Sequence, residues 1–151
     1  MALEILPTLW SFLKGLLNLF KDRQSRKEKY DLELLQKRFE VYQEAYSYAD
    51  KLKSKIRADE EKDQIVTEAK EWFTKNCLYL EPGLRKDFQG FIHEVWIYRE
   101  RVIHWKRIGR SEGFETEEAK KLRKEIEDKY EEICSMQMKI QEDIDQYYQN
   151  I

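Results

Sequence analysis

Between Leu9 and Phe20 the chain reads LWSFLKGLLNLF, and its polar positions are not scattered. Ser11, Lys14, Gly15, Asn18 and Asp22 recur at steps of three and four, which gathers them on one stripe of a helix. Leu9, Trp10, Phe12, Leu13, Leu16, Leu17, Leu19 and Phe20 cover the remaining surface. The pattern predicts an amphipathic helix with a wide apolar face, capped by Thr8 after Pro7. Such a face can span a bilayer, lie in its surface, or pack against protein. From Ala2 to Phe20 a helix would measure about 28 Å, near the minimum for a span. Glu4, Pro7 and Lys14 make it a poor one, and the narrow polar stripe suits an in-plane helix better. Packing on the body, or on a second copy of the chain, is the alternative.

Four further helical segments are expected. From about Arg26 to Ala58, the residues Leu35, Phe39, Tyr42, Tyr46, Ala49, Leu52 and Ile56 alternate by four and three, the spacing of helices packed at shallow angles. RADEEKDQ follows as a charged break or bridge. From Lys62 to Tyr79 the apolar side holds Ile65, Ala69, Trp72, Phe73 and, just beyond, Leu80. Pro82 and Gly83 end it, since Pro cannot continue the hydrogen-bond ladder. The next segment carries Leu84, Phe88, Phe91, Val95, Tyr98, Val102 and Trp105, widened by Ile92, Trp96 and Ile103, and is predicted to lie at the centre of the bundle. IGRSEGF reads as a loop by its two glycines, and Thr116 is placed to cap the last helix. There Ala119, Ile126, Ile133, Ile140 and Tyr147 recur every seven residues, Leu122, Tyr130, Ile144 and Ile151 fill the same side, and the far end is long enough to be left free for another chain.

Composition supports this all-α reading, an amphipathic N-terminal helix followed by an elongated antiparallel bundle of about four helices with coiled-coil-like seams. Only five Gly and two Pro interrupt 151 residues, of which 38% are charged. The domain division read from the pattern is 1–24 for the amphipathic helix and 25–151 for the bundle. The net charge of -2 hides an asymmetry: residues 1–30 hold six basic and three acidic side chains, while the rest is acidic. Lys21, Arg23, Arg26, Lys27 and Lys29 follow the greasy stretch directly, where each cation contributes about 1 kcal/mol beside an anionic leaflet. An acidic body argues against a general nucleic-acid binder. Residues 84–110 are net basic and 112–151 net acidic, which favours antiparallel packing of the last two helices. Cys77 and Cys134 lie far apart without a CxxC and read as free thiols of a reducing compartment.

Candidate chemistry is sparse. RERVIH separates Arg99 from His104 by four residues, which resembles the Arg-x4-6-His motif of the HEPN superfamily, helical bundles that often act as metal-independent ribonucleases. The resemblance implies Arg99 as a phosphate clamp and His104 as general acid or base. Glu100 stands where that family usually carries Asn, Asp or His beside its Arg, and a Glu100–His104 pair one turn apart is the plain alternative. His93 and His104 are too far apart along a helix to share a metal, about 16 Å, and no zinc or di-iron spacing occurs. The two Met of SMQM, near Cys134, read as core filling.

A looser likeness covers more of the chain. The hydrophobic start, RFEVYQEAYSYADKL and EWFTKNCLYLEPGLRKDFQGF resemble small bacterial membrane-associated helical proteins of no assigned reaction. The expectation is therefore a non-enzymatic adaptor at the cytoplasmic face of the membrane, without cofactor or metal, partnered by anionic lipid and by a second copy or another protein. Its membrane-binding residues would be Leu9, Trp10, Phe12, Leu13, Leu16, Leu17, Phe20, Lys21, Arg23, Arg26 and Lys27. A metal-independent ribonuclease, a soluble helical subunit and a pore-forming assembly are the alternatives.

Overall fold

The structure is a computed structural model that describes the backbone of residues 5–57 and 62–150 and the side chains of 13–57 and 64–150. Four α-helices and a single 3-10 turn make up the fold, with no strand among the described residues. They are α1 (Ile5–Lys55), α2 (Lys62–Asn76), the turn Cys77–Tyr79, α3 (Pro82–Glu112) and α4 (Glu117–Gln149). The chain divides into two compact units, 1–39 and 40–151.

The first correction concerns α1. The N-terminal helix and the segment expected from Arg26 are one helix of 51 residues, so four helices stand where five were expected. Nothing between Phe20 and Tyr30 can stop a helix: the stretch lacks Gly and Pro, and its Lys, Arg, Gln and Glu are good helix formers. Local bonds hold it, with the Gln24 amide donating to the Glu28 carboxylate at 3.2 Å and Arg26 Nε to the Asp22 carbonyl at 3.3 Å. The helix also starts earlier than expected, so Thr8 falls inside it instead of capping it.

Within unit 40–151 the core is continuous. Val41, Tyr42, Ala45, Ala49, Leu52 and Ile56 come from α1 and its end, Ile65, Val66, Ala69 and Trp72 from α2. Leu84, Phe88, Phe91, Ile92, Val95 and Tyr98 come from α3, and Ile133, Ile140 and Ile144 from α4. Aromatic rings dominate its middle. Phe88 lies 5.3 Å from Trp72, 5.9 Å from Phe73 and 6.2 Å from Phe91, in the tilted, offset and edge arrangements that ring quadrupoles favour.

Pairings fix direction. On α3 and α4, Asp87 meets Lys139 and Glu94 meets Lys129, both at 2.6 Å, so rising numbers face falling ones. These helices are antiparallel, but the ion pairs run against the gross charges. In both, the lysine comes from the acidic α4 and the carboxylate from the basic α3. The charges paired across the seam are thus the minority charges of their helices. The segment of α1 from residue 40 is likewise antiparallel to α4, since Tyr42 stacks on Tyr147 at 4.0 Å and Arg57, just past α1, lies over Tyr130.

Other departures are local. Tyr46 was expected inward and is exposed, while Val41 and Ala45 are buried; small side chains let α1 approach its neighbours closely, with Tyr48 reaching across to Trp72 at 5.1 Å. Trp96 and Ile103 lie at the outer margin of the α3 face and are exposed. IGRSEGF is mostly helix, because α3 continues to Glu112. Gly109 is needed for close approach and not for a turn: a Cβ there would fall 2.0 Å from the Phe114 ring, which folds back against Trp105 at 4.9 Å. Gly113 makes the turn itself, at φ 97. Thr116 caps α4 as expected, its Oγ1 accepting from the Ala119 N–H at 3.2 Å. The far end of α4 is not free, for Ile140 and Ile144 are fully buried and Tyr147 and Tyr148 pack on the core. Ile151, expected on the same side, lies outside the described residues. Of the SMQM pair, Met136 packs on the core and Met138 is exposed.

Two measurements check this packing. Phe88→Ala should lower the unfolding free energy by about 3–5 kcal/mol in urea, whereas Tyr46→Ala should cost less than about 0.5 kcal/mol. The second check is alkaline. Hydrogen bonds to Glu132 and Glu94 raise the Lys129 pKa above its ordinary 10.5, and burial raises the Tyr98 and Tyr130 phenols above 10.0. The folded chain then keeps protons that the unfolded chain releases, so stability is complete below about pH 10 and falls as pH rises through the folded-state values. The urea midpoint should therefore drop above that pH, and Lys129→Met should make the drop shallower.

Candidate functional site

Helix geometry alone builds the face at the start of α1. At about 100° per residue, Leu13, Leu16, Leu17 and Phe20 fall along one side, and Leu19 broadens it. All five are exposed, from 37% for Leu16 to 66% for Phe20. Five large apolar side chains in eight positions form a contiguous patch, unlike the scattered singles normal on a protein surface. Lys14 and Asn18 occupy the other side and are exposed too, as are Lys21, Arg23, Arg26 and Lys27 in the next two turns. Leu9, Trp10 and Phe12 belong to the same helix, but their side chains lie outside the described residues. No helix among the described residues is long and apolar enough to cross a membrane.

Arg99 and His104 are both on α3, five positions apart, which separates them by about 140° around the axis. Arg99 Nη1 lies 3.3 Å from Glu100 Oε1, and the exposed His104 turns its Nδ1 to Arg107 at 3.5 Å. The anticipated Glu100–His104 contact is replaced by these two. His93 lies against Trp96, ring to ring at 6.1 Å, and no group of three His, Cys, Asp or Glu able to hold a metal occurs among the described residues. Cys77 and Cys134 are each half-buried and unbridged.

Two clefts in unit 40–151 escaped the sequence reading. One, of about 420 Å³, is lined by Tyr42 and Tyr147 with Glu81, Asp87, Asp143 and Lys139. Its floor is structural: the Tyr42 hydroxyl accepts from the Glu81 N–H at 3.1 Å, and nearby Arg85 donates to the Cys77 and Leu80 carbonyls, holding the turn between α2 and α3. Lys139 and Asp87 already neutralise each other across it. The second, of about 350 Å³, lies between Ile56–Arg57, α3 and α4 and carries more cations than carboxylates. A periodicity argument places Ile56, Val102 and Ile126 inward but cannot bring three helix ends to one place.

With this geometry in hand, comparison with protein-family models, curated proteins and solved structures gave no match. The functional reading therefore rests on the residues themselves.

The separation of Arg99 from His104 has a direct consequence. Purified chain incubated with mixed-sequence RNA in chelator should leave it intact, and Arg99→Ala and His104→Ala should behave as the parent does. Metal-free cleavage that both substitutions abolish would restore the ribonuclease resemblance.

Proposed function

We propose that the chain is a non-enzymatic adaptor that rests on an anionic membrane surface through the start of α1 and presents its helical bundle to a protein partner. One observation carries this: Leu13, Leu16, Leu17, Leu19 and Phe20 are all exposed on a helix whose next turns carry exposed Lys21, Arg23, Arg26 and Lys27. An apolar face to enter the acyl boundary and cations to meet the headgroups are the two signals that in-plane helices combine. Neither alone gives stable binding, because each basic residue contributes only about 1 kcal/mol and is screened by salt.

The test is flotation with vesicles containing phosphatidylserine. Intact chain should float, and chain lacking residues 1–24 should not. Leu13→Asp with Leu17→Asp should release the protein while its melting temperature in lipid-free buffer stays unchanged. Raising salt from 0.1 M to about 0.5 M should weaken binding as the cations are screened. If the double substitution instead lowers the melting temperature, or dissociates an oligomer formed without lipid, the apolar face belongs to protein packing and the membrane reading fails.

A further inference from the structure

One side of α1 changes character along its length. At about 100° per residue, Leu13, Leu16 and Leu17 fall within about 60° of Phe20 around the axis, and so do Arg23, Lys27 and Asp31. All of these side chains are exposed. The same side of the helix is therefore apolar as far as Phe20, cationic at Arg23 and Lys27, and acidic at Asp31. Leu16, Leu19, Phe20 and Arg23 line a notch of about 160 Å³, so the first of these cations borders the apolar patch directly. Lys14 and Lys29 are exposed as well, but stand about 120° and 180° away from Phe20, on the other side.

We propose that α1 enters an anionic bilayer obliquely, its N-terminal end deeper, with Arg23 and Lys27 holding lipid phosphates at the headgroup level. This rests on the membrane reading and adds which cations carry the contact and how the helix is inclined. A helix lying flat along this side would press Asp31 against anionic headgroups, about 16 Å beyond Phe20 at about 1.5 Å per residue. An upright helix would carry Lys14 and Asn18 into the acyl region together with Leu13 and Leu17, where a charge is costly. An inclined helix avoids both penalties. Leu13 to Phe20 reach the acyl boundary, Arg23 and Lys27 lie at the phosphates, and Asp31 is lifted into water. Arginine at the border suits a phosphate, since the guanidinium fork engages two oxygens at once.

Titration of the full chain with vesicles containing phosphatidylserine, read by flotation, tests which cations matter. Arg23→Gln with Lys27→Gln should weaken binding at least about tenfold. Lys14→Gln with Lys29→Gln removes the same charge from the other side and should weaken it less than about threefold. Nuclear magnetic resonance of the chain on bicelles reads the inclination. A paramagnetic label on the lipid headgroup should broaden the amides of Arg23 to Lys27 most, and a label deep in the acyl chain those of Leu13 to Leu17. Equal losses in the two pairs, or headgroup broadening that recurs at every turn from Leu13 to Asp31, would overturn the oblique geometry and leave the membrane reading standing. Parent chain that fails to float overturns both.

Discussion

The apolar face of α3 is too wide for any single partner, and the packing of unit 40–151 answers that constraint. Leu84, Phe88, Phe91, Ile92, Val95 and Tyr98 cover more of the helix circumference than one facing helix can shield. Helix α2 brings Trp72 and Phe73 to one side of Phe88, α4 brings Ile133 and Ile140, and the Val41–Ile56 stretch closes the remaining arc. The tyrosine at position 42 shows how the closure is keyed. Its ring stacks on Tyr147 of α4 while its hydroxyl accepts from Glu81 at the entry to α3, so one side chain sets the height of three elements. Burial of apolar area supplies the driving force and specifies little; contacts of this kind choose one register among several similar ones.

Much of this was legible because helical periodicity is local. The four-three steps of α3 and the seven-residue recurrence on α4 identify the buried positions wherever packing follows an ideal seam. They fail where packing depends on side-chain size in the neighbour. Val41 and Ala45 are buried and Tyr46 is not because α1 approaches the bundle along its small residues, and no count of apolar positions distinguishes that from the expected face. IGRSEGF failed differently. Gly109 was read as permission to turn, yet its missing Cβ makes room for Phe114, a contact between residues on either side of the helix end. The pairing of α3 with α4 was right in direction and wrong in detail, since summed charges cannot say which few lie near the seam.

The same distinction separates the candidate sites. The face of α1 was readable because a wide apolar arc beside a basic run is a property of consecutive residues, and a helix of standard geometry suffices to build it. The clefts were not readable. Arg57, Lys106 and Arg123 come from three elements, and only the register that brings Tyr98 to Tyr130 and Arg57 over Tyr130 sets them around one opening. Conversely, Arg99 and His104 are close in sequence, and the continuity of α3 through both keeps them apart in orientation.

The net charge of -2 governs only long-range approach, and at physiological ionic strength fields from exposed charges decay over about 8 Å. Under the proposed membrane role, a headgroup at the start of α1 would meet Lys21, Arg23, Arg26 and Lys27, with Asp22 among them and Glu28 just after, a local excess of cations. The lysines of α4 at the seam, Lys129 and Lys139, are already paired with Glu94 and Asp87 and add little to the field around the bundle. What the outward carboxylates of α4 contribute is solubility and repulsion of anionic surfaces, which disfavours contact of the bundle's own flank with a bilayer. Under the proposed membrane role, charge segregation along the chain would set orientation: the cationic turns of α1 would be drawn to an anionic surface that the acidic α4 would avoid.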